Sequence, residues 1–191
     1  MSRLKTIPLE KMDSEQRALF DAISSGRRAA THSSNFINAD GGLHGPFDPY
    51  LRAPQLGMVA QRLGELIRYE TSLPDDIREL AILVCARHWR ANFEWSVHET
   101  AAIEAGLPKA VIENIMQETE PTESEYRPVY RFIHTLNTTA RVNDKDYQVV
   151  LKLYEERGLT ELIMLSGYYG LVAQILNVFD IAAPDGCKQA F

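Results

Sequence analysis

The segment Phe93-Glu94-Trp95-Ser96-Val97-His98 sets a carboxylate and an imidazole four residues apart. On a helix that spacing puts both on one face, about 5–6 Å apart at Cβ. Phe93, Trp95 and Val97 flank them, so at least one side of the pair is expected to be buried. Burial raises the pKa of a carboxyl group, and a nearby carboxylate keeps an imidazole basic. A Glu94–His98 pair in such a setting can share a proton near neutral pH, which suits general acid–base catalysis. The competing reading is an ion pair on a helix surface, worth roughly a few tenths of a kcal/mol.

Glu79 gives the pair a third partner. It lies in the first turn of a preceding helical segment, and Leu80-Ala81-Ile82-Leu83-Val84-Cys85-Ala86 after it is apolar on every side. That pattern predicts a central, buried helix. An acid in a first turn is also favoured by the helix dipole alone. On one straight helix Glu79 and His98 would be separated by roughly 30 Å. Cooperation therefore demands a break around Trp89 to Asn92 and a crossing of the two segments, with Asn92 as a candidate cap for the second. A metal site built on Glu79, Glu94 and His98 is the weaker reading, because only one imidazole is present and no second Glu-x-x-x-His occurs. No metal is expected.

The elements that must position these residues are helical almost throughout. Asp13 and Gln16 form a candidate capping box, with Gly26 ending the helix they open. Pro54, Pro74 and Pro108 mark further helix starts, and Gly106 a stop. Three later helices are expected at about 124–139, 144–157 and 160–180, with Asn143 and Thr160 as caps for the last two. No segment shows strand alternation, so the fold class is all-α. Residues 31–54 lack a helical pattern, yet Phe36, Phe47, Tyr50 and Leu51 argue against disorder. That stretch reads either as an ordered loop closing a pocket or as an arm building a subunit interface. A weak internal echo sets the segment from Glu79 beside the segment from Glu161, with Leu83 on Leu165 and Ala91 on Ala173.

A length of 191 residues suits one domain, 1–191, or one core made of two similar halves. The net charge of -6 and the absence of a large basic cluster argue against a nucleic-acid partner; Arg27-Arg28 reads as a solvated helix end. No signal-peptide pattern and no long apolar run is visible, so no membrane partner is expected and a cytoplasmic location is the default. The two cysteines, Cys85 and Cys187, make no Cys-x-x-Cys. Cys85 reads as a small core residue and Cys187 as a free thiol near the tail.

Residues 74–108, with Arg78-Glu79-Leu80-Ala81-Ile82-Leu83-Val84-Cys85 and the run to His98, resemble the signature of the carboxymuconolactone decarboxylase family. That family shares an all-α fold with the alkylhydroperoxidase AhpD-like proteins. Its pattern falls on Glu79, Ala91, Glu94 and His98. In the peroxidase branch the two middle positions are cysteines; here they are Ala91 and Glu94, which supply no thiolate. The resemblance therefore implies the decarboxylase-like branch: a cofactor-free lyase acting on a small carboxylic acid or lactone of the muconolactone type.

On that reading His98 is proton donor or electrostatic stabiliser, Glu94 orients it or shuttles the proton, and Glu79 supports both. An anionic substrate calls for a cation, with Arg52, Arg87 and Arg90 as candidates. His44 would reach the site if the long loop folds over it, and Tyr168 and Tyr169 would line a pocket. Each also has a plain structural reading, in surface pairing, loop capping or core packing. The resemblance further implies a homo-oligomer, a trimer or hexamer, with a dimer also possible. Two other functions stand beside this one: an alkylhydroperoxidase-related antioxidant protein, and a non-catalytic small-molecule-binding oligomer.

Overall fold

A computed structural model describes residues 2–25, 37, 41–184, 186–187 and 189–191. Gly26, Arg27, Arg28 and Phe36, which carry expectations above, lie outside them. Among the described residues the regular structure is helical, as the absence of strand alternation predicts; one isolated bridge joins Ile37 and Leu43. The chain divides into two compact units. One holds Met1–Glu70 with Ile175–Ala182, the other Thr71–Gln174 with Ala183–Phe191.

The first unit contains α1 (Ser14–Ser24), α2 (Phe47–Tyr50) and α3 (Pro54–Tyr69). The capping box forms as read: the Asp13 side chain accepts from the Gln16 backbone, and the Gln16 side chain accepts from the Asp13 backbone. The described part of the long loop is no loose connection. It turns helical as α2, and Leu43, Phe47, Tyr50 and Leu51 are buried with Leu19, Phe20 and Ile23. Gly57 on α3 lets this happen, because a Cβ there would sit 2.7 Å from the Tyr50 Cβ and 2.8 Å from its carbonyl oxygen.

The second unit is built around α4 (Asp75–Trp89), which packs against α5 (Asn92–Glu104), α6 (Lys109–Met116) and α7 (Arg127–Thr139). Its apolar run is buried on all sides, from Leu80 through Ala86, as a central helix requires. Asp75 and Asp76 occupy the first turn, where the dipole favours acids. Gly106, at φ 92, closes α5 with paired bonds from Gly106 N to Ile103 O and from Leu107 N to Ala102 O. That is the left-handed stop predicted for a glycine at this point.

Helix α8 (Asp144–Val178) differs from expectation. The Asn143 side chain caps it by accepting from Asp146 N at 3.0 Å, but Thr160 is not a cap. Thr160 sits inside the helix with its hydroxyl donating to Glu156 O, and the helix breaks instead at Glu155 (φ 56, ψ -176). The internal echo stays in the sequence alone. Its first copy is broken after Trp89, whereas Ala173, opposite Ala91, lies inside continuous helix. By length and composition α8 is apolar enough to cross a membrane, but 56% of its most apolar stretch is buried against the rest of the protein, as in a core helix.

Candidate active site

The break that the sequence demands is present. Arg90 ends α4 in the left-handed region (φ 52, ψ 43), and Ala91 is extended. Ala91 N returns to Ala86 O and Arg90 N to Arg87 O, so the chain reverses in a Schellman-type turn. Asn92 does not cap α5. Its side chain instead accepts from the backbone N–H groups of Ala190 and Phe191, at 2.6 and 2.9 Å, and donates to Phe191 O. The Phe191 ring packs on the edge of Trp95 at 5.7 Å.

Because the Arg90 position favours glycine, Arg90→Gly is expected to gain about 1 kcal/mol in urea unfolding, by removing the Cβ penalty of a left-handed residue. A loss of stability would mean that the arginine side chain holds the turn by contacts of its own.

The reversal brings α5 back along α4 and places His98 on Glu79. His98 Nδ1 lies 2.6 Å from Glu79 Oε2, and both side chains are buried, at 5% and 2% exposure. This corrects the pairing read from spacing. His98 does not share a hydrogen bond with Glu94, its neighbour four residues back; it bonds to Glu79, nineteen residues away. The carboxylate that was given a supporting part is the one in direct contact with the imidazole.

Glu94 is left in a different state. It is 3% exposed, and neither carboxyl oxygen has a hydrogen-bond partner. Burial without compensation holds its proton well above the usual carboxylate range. Two glutamates thus sit in one helical core with opposed environments, one gripping an imidazole and one uncompensated.

A polar ring lies beside them. The Asn137 amide donates to Cys85 Sγ at 3.5 Å, the thiol reaches Ser166 Oγ at 3.8 Å, and the Ser166 hydroxyl donates to Asn137 Oδ1 at 2.8 Å. Burial pushes the Cys85 thiol up to about 12 against the lowering effect of these bonds, and charge on Glu94 adds to the rise. So Cys85 does have partners nearby, but burial outweighs them and keeps it a thiol. Cys187 is exposed. A native-state thiol titration is expected to count one reactive cysteine, and a second only on unfolding; rapid modification of Cys85 in the folded protein would contradict this environment.

The other candidates fall unevenly. The Tyr169 ring stands edge-on to His98 at 5.1 Å, with Tyr168 at 5.4 Å behind it, and both are buried. Arg87 is committed elsewhere, donating to Met116 O and Glu118 and lying over the Phe191 ring. Arg90 is exposed at the turn. His44 and Arg52 belong to the first unit, where Gly45 N donates to His44 Nδ1 and Arg52 pairs with Asp48. Among the described residues no group of three or more His, Cys, Asp or Glu is placed to hold a metal.

Three participants were not singled out from sequence: Arg78, Asn137 and Ser166. Ser166 carried a weak signal, a polar residue ending the apolar run Leu162-Ile163-Met164-Leu165, and Arg78 carried adjacency to Glu79; Asn137, among Thr135, Leu136, Thr138 and Thr139, carried none. Arg78 Nε lies 3.8 Å from Glu79 Oε1. No protein-family model matches the chain, and no curated protein matches it.

Proposed function

We propose that this protein is a cofactor-free acid–base enzyme of the carboxymuconolactone decarboxylase type, acting on a small carboxylated ring compound. The observation that carries the reading is the contrast between Glu79 and Glu94. Titratable groups whose surroundings push their protonation apart are the usual basis for assigning acid and base roles.

In such a reaction the bond from the ring to the carboxylate breaks and CO2 leaves. Its electron pair moves through the ring double bond to the lactone carbonyl, giving a dienolate, and a ring carbon then takes up a proton. Glu94, whose carboxyl is held well above the usual range by burial, supplies the donor. Glu79 fixes the His98 ring through Nδ1 and favours its protonated form, whose Nε2–H is the donor that serves the developing negative charge. Tyr169, packed on the ring, restrains its tilt. AhpD-like assembly into a homo-oligomer is part of the same proposal.

A thiol peroxidase is disfavoured by the Cys85 environment, because the nucleophile in that chemistry is a thiolate. The test is a panel of carboxylated lactones followed by NMR for CO2 loss, with and without prior thiol alkylation. Turnover that survives alkylation and incorporates solvent deuterium at ring carbon is the expected result. Turnover of peroxide, or loss of all activity on alkylation, would overturn it.

A further inference from the structure

The Glu79 carboxylate is held from two sides. His98 Nδ1 occupies Oε2 at 2.6 Å, and the Arg78 guanidinium approaches Oε1 at 3.8 Å. Arg78 is itself largely buried, with its side chain 12% exposed. It is anchored at the helix start, where its NH1 donates to Asp75 Oδ1 at 2.8 Å. Its Nε is buried and makes no hydrogen bond. An arginine is never deprotonated in a protein, so this is a fixed positive charge beside a buried acid.

We propose that Arg78 is a positioning residue: its charge keeps Glu79 a carboxylate in the buried core, and thereby keeps His98 oriented through Nδ1. This deepens the acid–base reading above and rests on it for its chemical use. Without a nearby cation a buried carboxylate prefers to take up a proton. A protonated Glu79 becomes a donor, turns the proton order of the pair around and presents His98 in the other tautomer. The charged ring is stabilised by an ionised Glu79, so a Glu79 that takes up a proton makes His98 harder to charge.

The titratable groups about His98 are Glu79, with Arg78 behind it, on α4; Glu94 on its own helix; and Tyr169 on α8. Burial raises the Glu94 carboxyl and Tyr169 is a phenol, so Glu79 and Arg78 are the charges the proposal turns on.

The experiment is an NMR titration of the histidine rings in the full-length protein, without substrate. Arg78→Gln is expected to move the His98 midpoint to lower pH, because a Glu79 that takes up a proton no longer stabilises the imidazolium, while His134 on α7 stays in place. Arg78→Lys, which restores the charge, is expected to return the midpoint toward that of the native protein. An unmoved or raised His98 midpoint in Arg78→Gln overturns the proposal, because it would show that Glu79 stays ionised without the arginine's charge. Should Arg78→Gln not fold, the side-chain carboxyl carbon of Glu79 in the native protein decides. An ionised signal throughout the His98 titration supports the proposal, and a protonated one sinks it. Neither readout needs turnover, so failure of the lyase reading is seen separately, in the lactone panel.

Discussion

His98→Ala is expected to cost about 3–5 kcal/mol of folding stability, because it strips a buried carboxylate of its hydrogen-bonded partner. Glu79 and His98 are almost fully enclosed, so solvent does little to screen what remains. Arg78, at 3.8 Å and without a hydrogen bond to Glu79, replaces only part of the lost contact. The orphaned acid has one escape, which is to bind a proton, so the loss should shrink as the pH is lowered. Removing both members tells the two contributions apart. Glu79→Met with His98→Leu should recover most of the stability, since well-packed apolar side chains are a fair exchange for a buried ion pair. Urea unfolding of both variants beside the native protein is the measurement. A cost under about 1 kcal/mol for His98→Ala would match a solvated pair and contradict the geometry described here.

Glu94→Gln is expected to lower turnover about 10²–10⁴-fold, the usual contribution of one positioned general acid, with folding stability unchanged or slightly higher. The amide matches the carboxyl in shape but has no proton to give to carbon. Stability should not suffer, because neither Glu94 oxygen has a hydrogen bond to lose. Glu94→Leu should be more stable than the native protein, with a pH dependence of defined sign. Between the ordinary carboxyl value and the raised folded value, the unfolded chain has released its proton and the folded chain has kept it. Rising pH therefore favours the unfolded state across that window. The advantage of Glu94→Leu should grow over the same range and level off above it. Equal pH profiles for the two proteins would show that the folded carboxyl is not held protonated. Full activity in Glu94→Gln would remove the residue from the chemistry.

Much of the scaffold could be read before any coordinates. The capping box at Asp13, the stop at Gly106 and the helix start at Asn143 are local events. Each is decided by a few neighbouring residues whose backbone groups need partners. The buried character of α4 followed from a run with no polar face. Failures came where local signals were weak or misleading. Thr160 offers a cap, but its hydroxyl is equally content bonded to Glu156 within a helix, and the break moved to Glu155. Asn92 also reads as a cap, yet its amide reaches residues 190–191, a partner almost one hundred positions away.

The sequence by itself determined the materials of the site: two glutamates, one histidine, a required interruption between them, and no Cys-x-x-Cys for dithiol chemistry. Helix periodicity then favoured Glu94 as partner of His98, because spacing sees only neighbours on one face. Tertiary structure decided otherwise. The reversal at Arg90–Ala91 laid α5 along α4, gave His98 to Glu79, and left Glu94 buried with no hydrogen bond. Which acid holds a charge and which holds a proton depends on burial and on contacts between helices, and neither is written in the spacing of residues along one helix.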